Sequence, residues 1–588
     1  MNTISIKHIP TLNEWKCDEL DYFPYDLSNV TCYNPIYSNF EKRESSNANI
    51  QFNHSHHFYD NKNIIDCCGN ISSEDIFFKY GPILDPCHYM MGKYKYDKNI
   101  TTIVNSDNDE NIEYHEKVKS IHNASYVDNF TCALINLLYE KYNFKHGVRY
   151  FGSIVGVQNK FRMNIADDIE FIQEHDFFQQ NIGNLFHTNI FSKGLLQNEA
   201  TRNTLKHKKS LSFSDEIQID DFDDMSLNPI NINPTLTSSH NCIEIPHQEP
   251  ELIELSIDNL KEHTYIHNNC DNNNNHNVSI DSNDNSSDNS EISHTDSMES
   301  QHNDENDVCN DELQLELNSS NGSSDFADYE SSIDEEPLYA YIDNFPVIMI
   351  GLSKCEDTFD TLLNDNKDLD THHYLSALFQ IIMIILTLQK AFNFTHNDLH
   401  TNNIMYETTT ISHIYYVFNN IHYKVPTYGR IFKLIDFGRS IVTYNDTIYC
   451  SDSFKQDGDA NTQYNFGPFY DQTKKCINPN YSFDLCRLGC SIYDFIIDDE
   501  ENIDNFDDFQ KLIYDWCCDD NGKNILYKKN GDERYPNFKL YKMIARIVHN
   551  HTPEKQLERE IFKKYQTQDT PDTTIDCVIN IDNIPSFA

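Results

Sequence analysis

His396-Asn397-Asp398-Leu399-His400-Thr401-Asn402-Asn403 is the stretch on which the reading of this chain turns, and Lys433-Leu434-Ile435-Asp436-Phe437-Gly438 is its companion. An aspartate and an asparagine separated by four residues can be presented by one tight loop, so a carboxylate and an amide oxygen converge on one point. Asp436 ends an apolar strand-type run, Phe437 is expected to pack inward, and Gly438 frees the backbone to turn. Between the two blocks, Ile414 to Phe418 and Ile421 to Val425 read as the arms of a hairpin with Asn419-Asn420 at its turn. Ahead of them, Asp370 to Phe392 carries Leu375, Leu378, Ile382, Ile385, Leu386 and Ala391 at roughly helical spacing.

Working outward, the N-terminal side supplies Ile76-Phe77-Phe78-Lys79-Tyr80, a short strand-type run with a lysine near its end, and a helix over Tyr126 to Tyr142. Val148 to Gln158 and Tyr339 to Ile350 read as strands, Gly351 as a turn, and Glu356 to Leu363 as a short helix. Tyr481 to Tyr565 is expected to be mainly helical. Residues 1 to 60 are polar and Asn-rich and are expected to be irregular. From about Gly194 to Glu336 the chain is dominated by Asn, Ser, Asp and Glu. Such composition cannot bury enough apolar surface to offset the entropy of ordering, so a disordered acidic insert is expected there. Its Ser-Asp and Ser-Glu neighbours, such as Ser323-Ser324-Asp325, are candidate phosphate acceptors.

Composition narrows the function classes. Of 588 residues only 38% are hydrophobic, and the formal net charge is −48. With no long basic run, nucleic acid is excluded as a partner, and a basic protein substrate suits the charge. The 17 cysteines show no C-x-x-C spacing, so zinc knuckles and redox motifs are not expected, and reduced cysteines in an intracellular setting are. No signal peptide is read at the N-terminus. The most apolar stretch, Ala377 to Leu388, is too short to span a bilayer, so no membrane is expected.

Phosphoryl transfer needs a carboxylate to orient the attacking hydroxyl, ligands for the metal that bridges the phosphates, and a cation on the nonreacting phosphates. Asp398 is the candidate base, with His396 bracing its loop. Asn403 and Asp436 are the candidate magnesium ligands, and Lys79 is the candidate cation, with Asp128 or Glu140 as its acidic partner. Phe78-Lys79-Tyr80-Gly81-Pro82-Ile83-Leu84-Asp85-Pro86, the 396–400 block and the run from Val425 to Ser440 together resemble the eukaryotic-type protein kinase superfamily. More closely, they resemble the kinase-like proteins of large nucleocytoplasmic DNA viruses, of mimivirus type.

The resemblance implies an α+β, bilobal protein-kinase-like fold: a small β-rich lobe over 61–350 holding the insert, and a mainly α lobe over 351–570. A 1–60 extension would precede these lobes and a 571–588 tail would follow them. It implies ATP and Mg2+ as cofactors, with adenine against Val347, Gly351 and Leu352. It implies a structural acid at Asp484, a view the apolar flanks Leu485, Leu488, Ile492 and Phe495 support. The chain departs from the family in four places. The glycine-rich nucleotide loop is absent, Cys67-Cys68-Gly69-Asn70-Ile71 keeping one glycine. Asn397 stands for the arginine that binds a phosphorylated activation loop, which implies activity independent of such a phosphate. His400 stands for the lysine near the transferred phosphate. Asn478-Pro479-Asn480 stands where Ala-Pro-Glu is usual. The expected function is a serine/threonine protein kinase, acting in the host-cell cytoplasm or the virion if the chain is viral. A pseudokinase scaffold and a small-molecule phosphotransferase are the alternatives.

Overall fold

The structure, a computed structural model, describes Leu12, Trp15 and residues 22–40, 54–94, 100–104, 114–166, 168–189, 338–365, 369–497, 503–569 and 577–588. The acidic segment read as an insert lies outside the described residues. The rest is α+β.

Four antiparallel strands build the principal sheet: β1 (Leu27–Thr31), β2 (Ile76–Pro82), β3 (Tyr150–Asn164) and β4 (Tyr339–Ser353), in the order β1-β3-β4-β2, with Phe186–Thr188 pairing alongside on β4. The register sets Lys79 opposite Ile350 and Val347 opposite Pro82. Across the middle of β3 and β4, Val155, Val157, Val347, Ile348, Met349 and Ile350 are buried, as expected for sheet covered on both faces.

Helix α1 (Ala124–Tyr142) packs against this sheet. Asn123 caps it, its side chain accepting from Ser125 N–H. The approach is close. A Cβ on Gly81 would sit 3.0 Å from Ser125 Cβ and Oγ, and Ser125 Oγ donates to the Pro82 carbonyl at 2.6 Å. A side chain at position 81 would push α1 off the sheet.

The helix-rich part is centred on α2 (Thr371–Phe392), capped by Asp370 and buried along most of its length. Strand β5 (Ile404–Thr408) follows, then the hairpin β6 (His413–Phe418) and β7 (Ile421–Pro426), then β8 (Arg430–Leu434), which pairs back onto β5. Asn419 and Asn420 both have positive φ, 51° and 59°, which is the turn chemistry their identity suggests. Helices α3 (Phe483–Ile496), α4 (Asp508–Trp516) and α5 (Lys539–Ile547) complete this part.

Several sequence expectations need correction. Residues 1–60 are not all irregular: β1 joins the main sheet, and Tyr33, Ile36 and Tyr37 are buried. The partner of β1 lies more than a hundred residues downstream, and Asn29, at φ 53°, breaks the local alternation. Gly351 is not a turn but lies inside β4, where a Cβ would come within 2.8 Å of the Phe58 ring. The short helix starts later than expected, at Phe359–Asp365. The 571–588 tail holds β9 (Cys577–Asn580), parallel to β6, with Ile579, Ile581 and Ile584 buried. Finally, α2 is longer than its apolar stretch and passes the length and apolarity of a membrane span, yet 89% of that window is buried inside the fold.

Beneath the β5–β8 sheet lies a neutral buried histidine. His146 Nδ1–H donates to the Phe432 carbonyl at 2.7 Å, and the Tyr416 hydroxyl donates to Nε2 at 2.6 Å. Burial presses its pKa down to about 3. The unfolded ring protonates below about 6.5. The stability this ring contributes is therefore whole above neutrality and is lost as pH falls from about 6.5 toward 3, by on the order of 4 kcal/mol at the acid end. The urea midpoint is expected to drop between pH 7 and pH 4.5 in the wild type and by clearly less in His146→Gln; equal drops would contradict this assignment.

Candidate active site

Two acids and one lysine, far apart in sequence, meet at one end of α1. Lys79 Nζ lies 2.5 Å from Asp128 Oδ2 and 2.8 Å from Asp436 Oδ1. Asp128 also accepts from the Phe437 backbone N–H at 2.9 Å, so one carboxylate ties β2, α1 and the 436–438 turn together. Of the two acidic partners considered for Lys79, Asp128 is the one in contact. Glu140 instead accepts from Ser55 and Asn136. Burial pushes the Lys79 ammonium toward neutrality, but Asp128 and then Asp436 outweigh it and raise its pKa. Lys79 in turn holds the Asp436 carboxyl down at about 2. Asp436 has φ 63°, a left-handed conformation that aspartate tolerates better than most residues, and Phe437 beyond it is buried as expected.

The loop at 396–403 is built from its backbone outward. Asp484, on α3 and 1% exposed, accepts His396 N–H at 2.9 Å and Asn397 N–H at 2.8 Å. These bonds satisfy two buried donors and hold Asn397 at φ 64°. His396 is buried, faces Phe437, and its Nε2–H donates to the Ile435 carbonyl at 2.9 Å, so it braces the loop. Asn397 accepts from the Tyr464 hydroxyl at 2.7 Å and donates to the Arg439 carbonyl, tying the loop to the segment after Gly438.

Asp398 Oδ1 accepts from the Tyr541 hydroxyl at 2.7 Å, and Oδ2 lies 3.9 Å from Arg439 Nε. Burial alone would raise the Asp398 pKa; Arg439, His400 and Arg487 overcome it, and the carboxyl is held below its ordinary range. His400 is pressed down to about 4, chiefly by burial, so its ring is neutral near pH 7. Its Nε2 accepts from Asn403 Nδ2 at 3.1 Å, and the same amide donates to the Asp398 carbonyl at 2.9 Å. With its nitrogen engaged, Asn403 keeps Oδ1 for another partner. The Asn403 main-chain carbonyl accepts from Ile435 N–H at 3.1 Å, next to Asp436; an amide oxygen and a carboxylate are donors of the kind a hard cation such as Mg2+ takes.

The adenine assignment fares differently. Val347 is fully buried in the middle of the sheet, three positions from the residue opposite Lys79, and belongs to the core. Gly351 and Leu352 lie nearer the end of β4, beside Phe78 and Phe77 across the register. The Cys67-Cys68-Gly69-Asn70 segment is an exposed hairpin turn between Asn63–Asp66 and Ile71–Ser73, with Gly69 at φ 85°.

No family model matches the chain. Two curated proteins share segments with it. A serine/threonine-protein kinase haspin homolog of Drosophila melanogaster is 34% identical over 86 residues, 15% of this chain and 15% of its own length. Uncharacterized protein 098R of Invertebrate iridescent virus 6 is 29% identical over 199 residues, 32% of this chain and 30% of its own. The chain thus spans less than a third of either relative, one a protein kinase and the other viral.

Sequence reasoning missed Tyr541 and Arg487. Arg487 lies in the Asp484 helix block but was given no role, Tyr541 belongs to no motif, and the bond from Tyr541 to Asp398 bridges 143 positions. It left Asp128 as one of two options. The signal that separates the two is the close approach at Gly81: a short acid reaches Lys79 only if α1 lies near the sheet. Asp128→Asn is accordingly expected to lower turnover by roughly ten- to a hundredfold. Asp128→Glu is expected to rescue it poorly, since the longer arm must displace α1. Full activity in both variants, by initial-rate assay, would remove Asp128 from the site.

Proposed function

We propose that the chain is an ATP-dependent serine/threonine protein kinase with a two-lobed, kinase-like fold. The observation that carries this reading is the meeting of Lys79, Asp128 and Asp436 in one ion-paired cluster. The short similarity to a protein kinase homolog points the same way. Lys79 binds nonreacting phosphates. Asp436 and Asn403 would hold magnesium, which when bound would supply positive charge to offset that of the phosphates. Asp398 orients the acceptor hydroxyl and takes its proton as the hydroxyl oxygen bonds to the γ-phosphorus. The bond from that phosphorus to the β,γ-bridging oxygen breaks, and ADP leaves. Neutral His400 contributes no charge to the transferred phosphate and acts by fixing Asn403.

The bond from Tyr464 to Asn397 supports activity without a phosphorylated activation segment. A basic protein is the substrate class that best suits a chain of net charge −48, and nucleic acid the least. Action inside a host cell or within a virion fits the similarity to a viral protein.

The test is magnesium-dependent transfer from ATP to casein or histone by the purified chain. Transfer by the wild type is expected, with loss in Lys79→Ala. If the wild type neither transfers phosphate nor binds ATP, the chain is a kinase-shaped scaffold, and its partners become the question.

A further inference from the structure

The carboxylate of Asp398 is held from a direction that no motif supplies. Tyr541, on α5, is 1% exposed and donates to Asp398 Oδ1 at 2.7 Å. Its hydroxyl oxygen is itself engaged, accepting from Arg487 Nε on α3 at 2.9 Å, and the Arg487 guanidinium lies over the Tyr541 ring, 5.2 Å from its centre. The three groups form a chain, Arg487 to Tyr541 to Asp398, in which each hydrogen bond polarises the next. Among the described residues, the Asp398 carboxylate has no second hydrogen bond of this kind: Arg439 Nε stands at 3.9 Å from Oδ2, beyond hydrogen-bond length. One oxygen of the carboxylate is therefore fixed, and the other is left for an acceptor hydroxyl.

We infer that Tyr541, backed by Arg487, is the positioning residue that sets the orientation of the Asp398 carboxylate. This rests on the kinase reading above. The placement has a mechanical consequence as well. The same helix sends Arg546 to the carbonyls of Thr462 and Gln463, so α5 grips the segment after Gly438 while it aims Asp398. A general base contributes only when its oxygen lies within hydrogen-bond reach of the proton it takes. A carboxylate free to rotate about its Cβ–Cγ bond spends most of its time out of that reach. The Tyr541 hydroxyl removes this freedom without neutralising the charge. An ordinary packing role would rest on the ring alone, which stacks on Phe538 at 5.4 Å and meets Phe483 at 6.0 Å.

Tyr541→Phe separates the two roles, because it keeps the ring and removes the hydroxyl. Initial rates would be measured on the full chain with Mg-ATP and casein or histone, beside nucleotide affinity and thermal melting. kcat is expected to fall roughly ten- to a hundredfold, as for the loss of one charge-assisted hydrogen bond. KM for ATP and nucleotide affinity are expected to stay within about twofold, since the carboxylate does not bind nucleotide. Site-specific 3-fluorotyrosine at 541 retains a hydroxyl donor and is expected to restore kcat. Arg487→Lys, which keeps the charge but loses the planar fork, is expected to lower kcat in the wild type and to add little in the Tyr541→Phe background. An unchanged kcat in Tyr541→Phe overturns the inference. So does a loss of kcat matched by loss of nucleotide binding and melting temperature, or a fluorotyrosine variant as slow as the phenylalanine one. No transfer by the wild type overturns the kinase reading and this inference with it, whereas full transfer by both wild type and Tyr541→Phe overturns this inference alone.

Discussion

Asp436→Asn is expected to lower phosphate transfer by at least about a thousandfold while leaving a folded protein. The side chain keeps its shape, so the reason is charge. Asp436 pairs with Lys79 and is the proposed metal ligand, and Lys79 holds it ionised with a pKa of about 2. An amide at this position binds a hard cation weakly and no longer balances the lysine. The fold should survive because Lys79 retains Asp128 at 2.5 Å and Phe437 N–H retains its bond to the same carboxylate. The measurement is initial velocity at saturating Mg-ATP beside a thermal melt. A variant within tenfold of wild type would show that Asp436 is not a metal ligand, and the reading of the 433–438 block would have to be given up.

Asp484→Ala is expected to be the most destabilising single change at the site, by about 3 kcal/mol, and to abolish activity as well. The carboxylate is buried and accepts two backbone N–H groups, His396 and Asn397, that have no other acceptor among the described residues. Each buried donor left unpaired costs roughly 1–3 kcal/mol. Part of that cost is offset, because burial also raises the Asp484 pKa and the charge itself is held at an expense. Asn397 at φ 64° depends on this anchor, and Asp398 is the next residue. Asp484→Asn keeps one acceptor oxygen and is expected to lose about half as much stability. Urea unfolding of the two variants tests the ordering; equal stability of wild type and Asp484→Ala would mean that the loop is held by something else.

The parts of the site that were readable in advance are those whose chemistry is local. Asp398 and Asn403 lie in one loop, and the amide of Asn403 closes that loop on the Asp398 carbonyl, as the spacing implies. The hairpin turn at Asn419-Asn420 and the long helix before the loop were legible for the same reason, since turn chemistry and helical periodicity are written within a few residues. The buried Asp484 was legible because apolar neighbours at helical spacing surround it.

What the local pattern could not place shares a cause as well. Val347 was assigned to a nucleotide pocket, but along a strand buried on both faces every position looks apolar, and only the pairing with β2 says which end is near Lys79. Strand β1 was read as irregular and β9 as part of a tail because each is short and finds its sheet partner far along the chain.

The sequence by itself thus determined the elements that bear the loop, the strand and the long helix, and which acids carry the candidate chemistry, because spacing within a loop or along a helix fixes geometry over a few ångströms. Only the tertiary structure decided which groups tune those acids. Lys79 choosing Asp128 over Glu140, Tyr541 reaching Asp398 and Tyr464 holding Asn397 are contacts between segments with no shared periodicity. Their existence depends on how closely α1, α3 and α5 pack. That distance is set by the volumes of buried side chains, and by the missing one at Gly81, which no reading along the chain can sum.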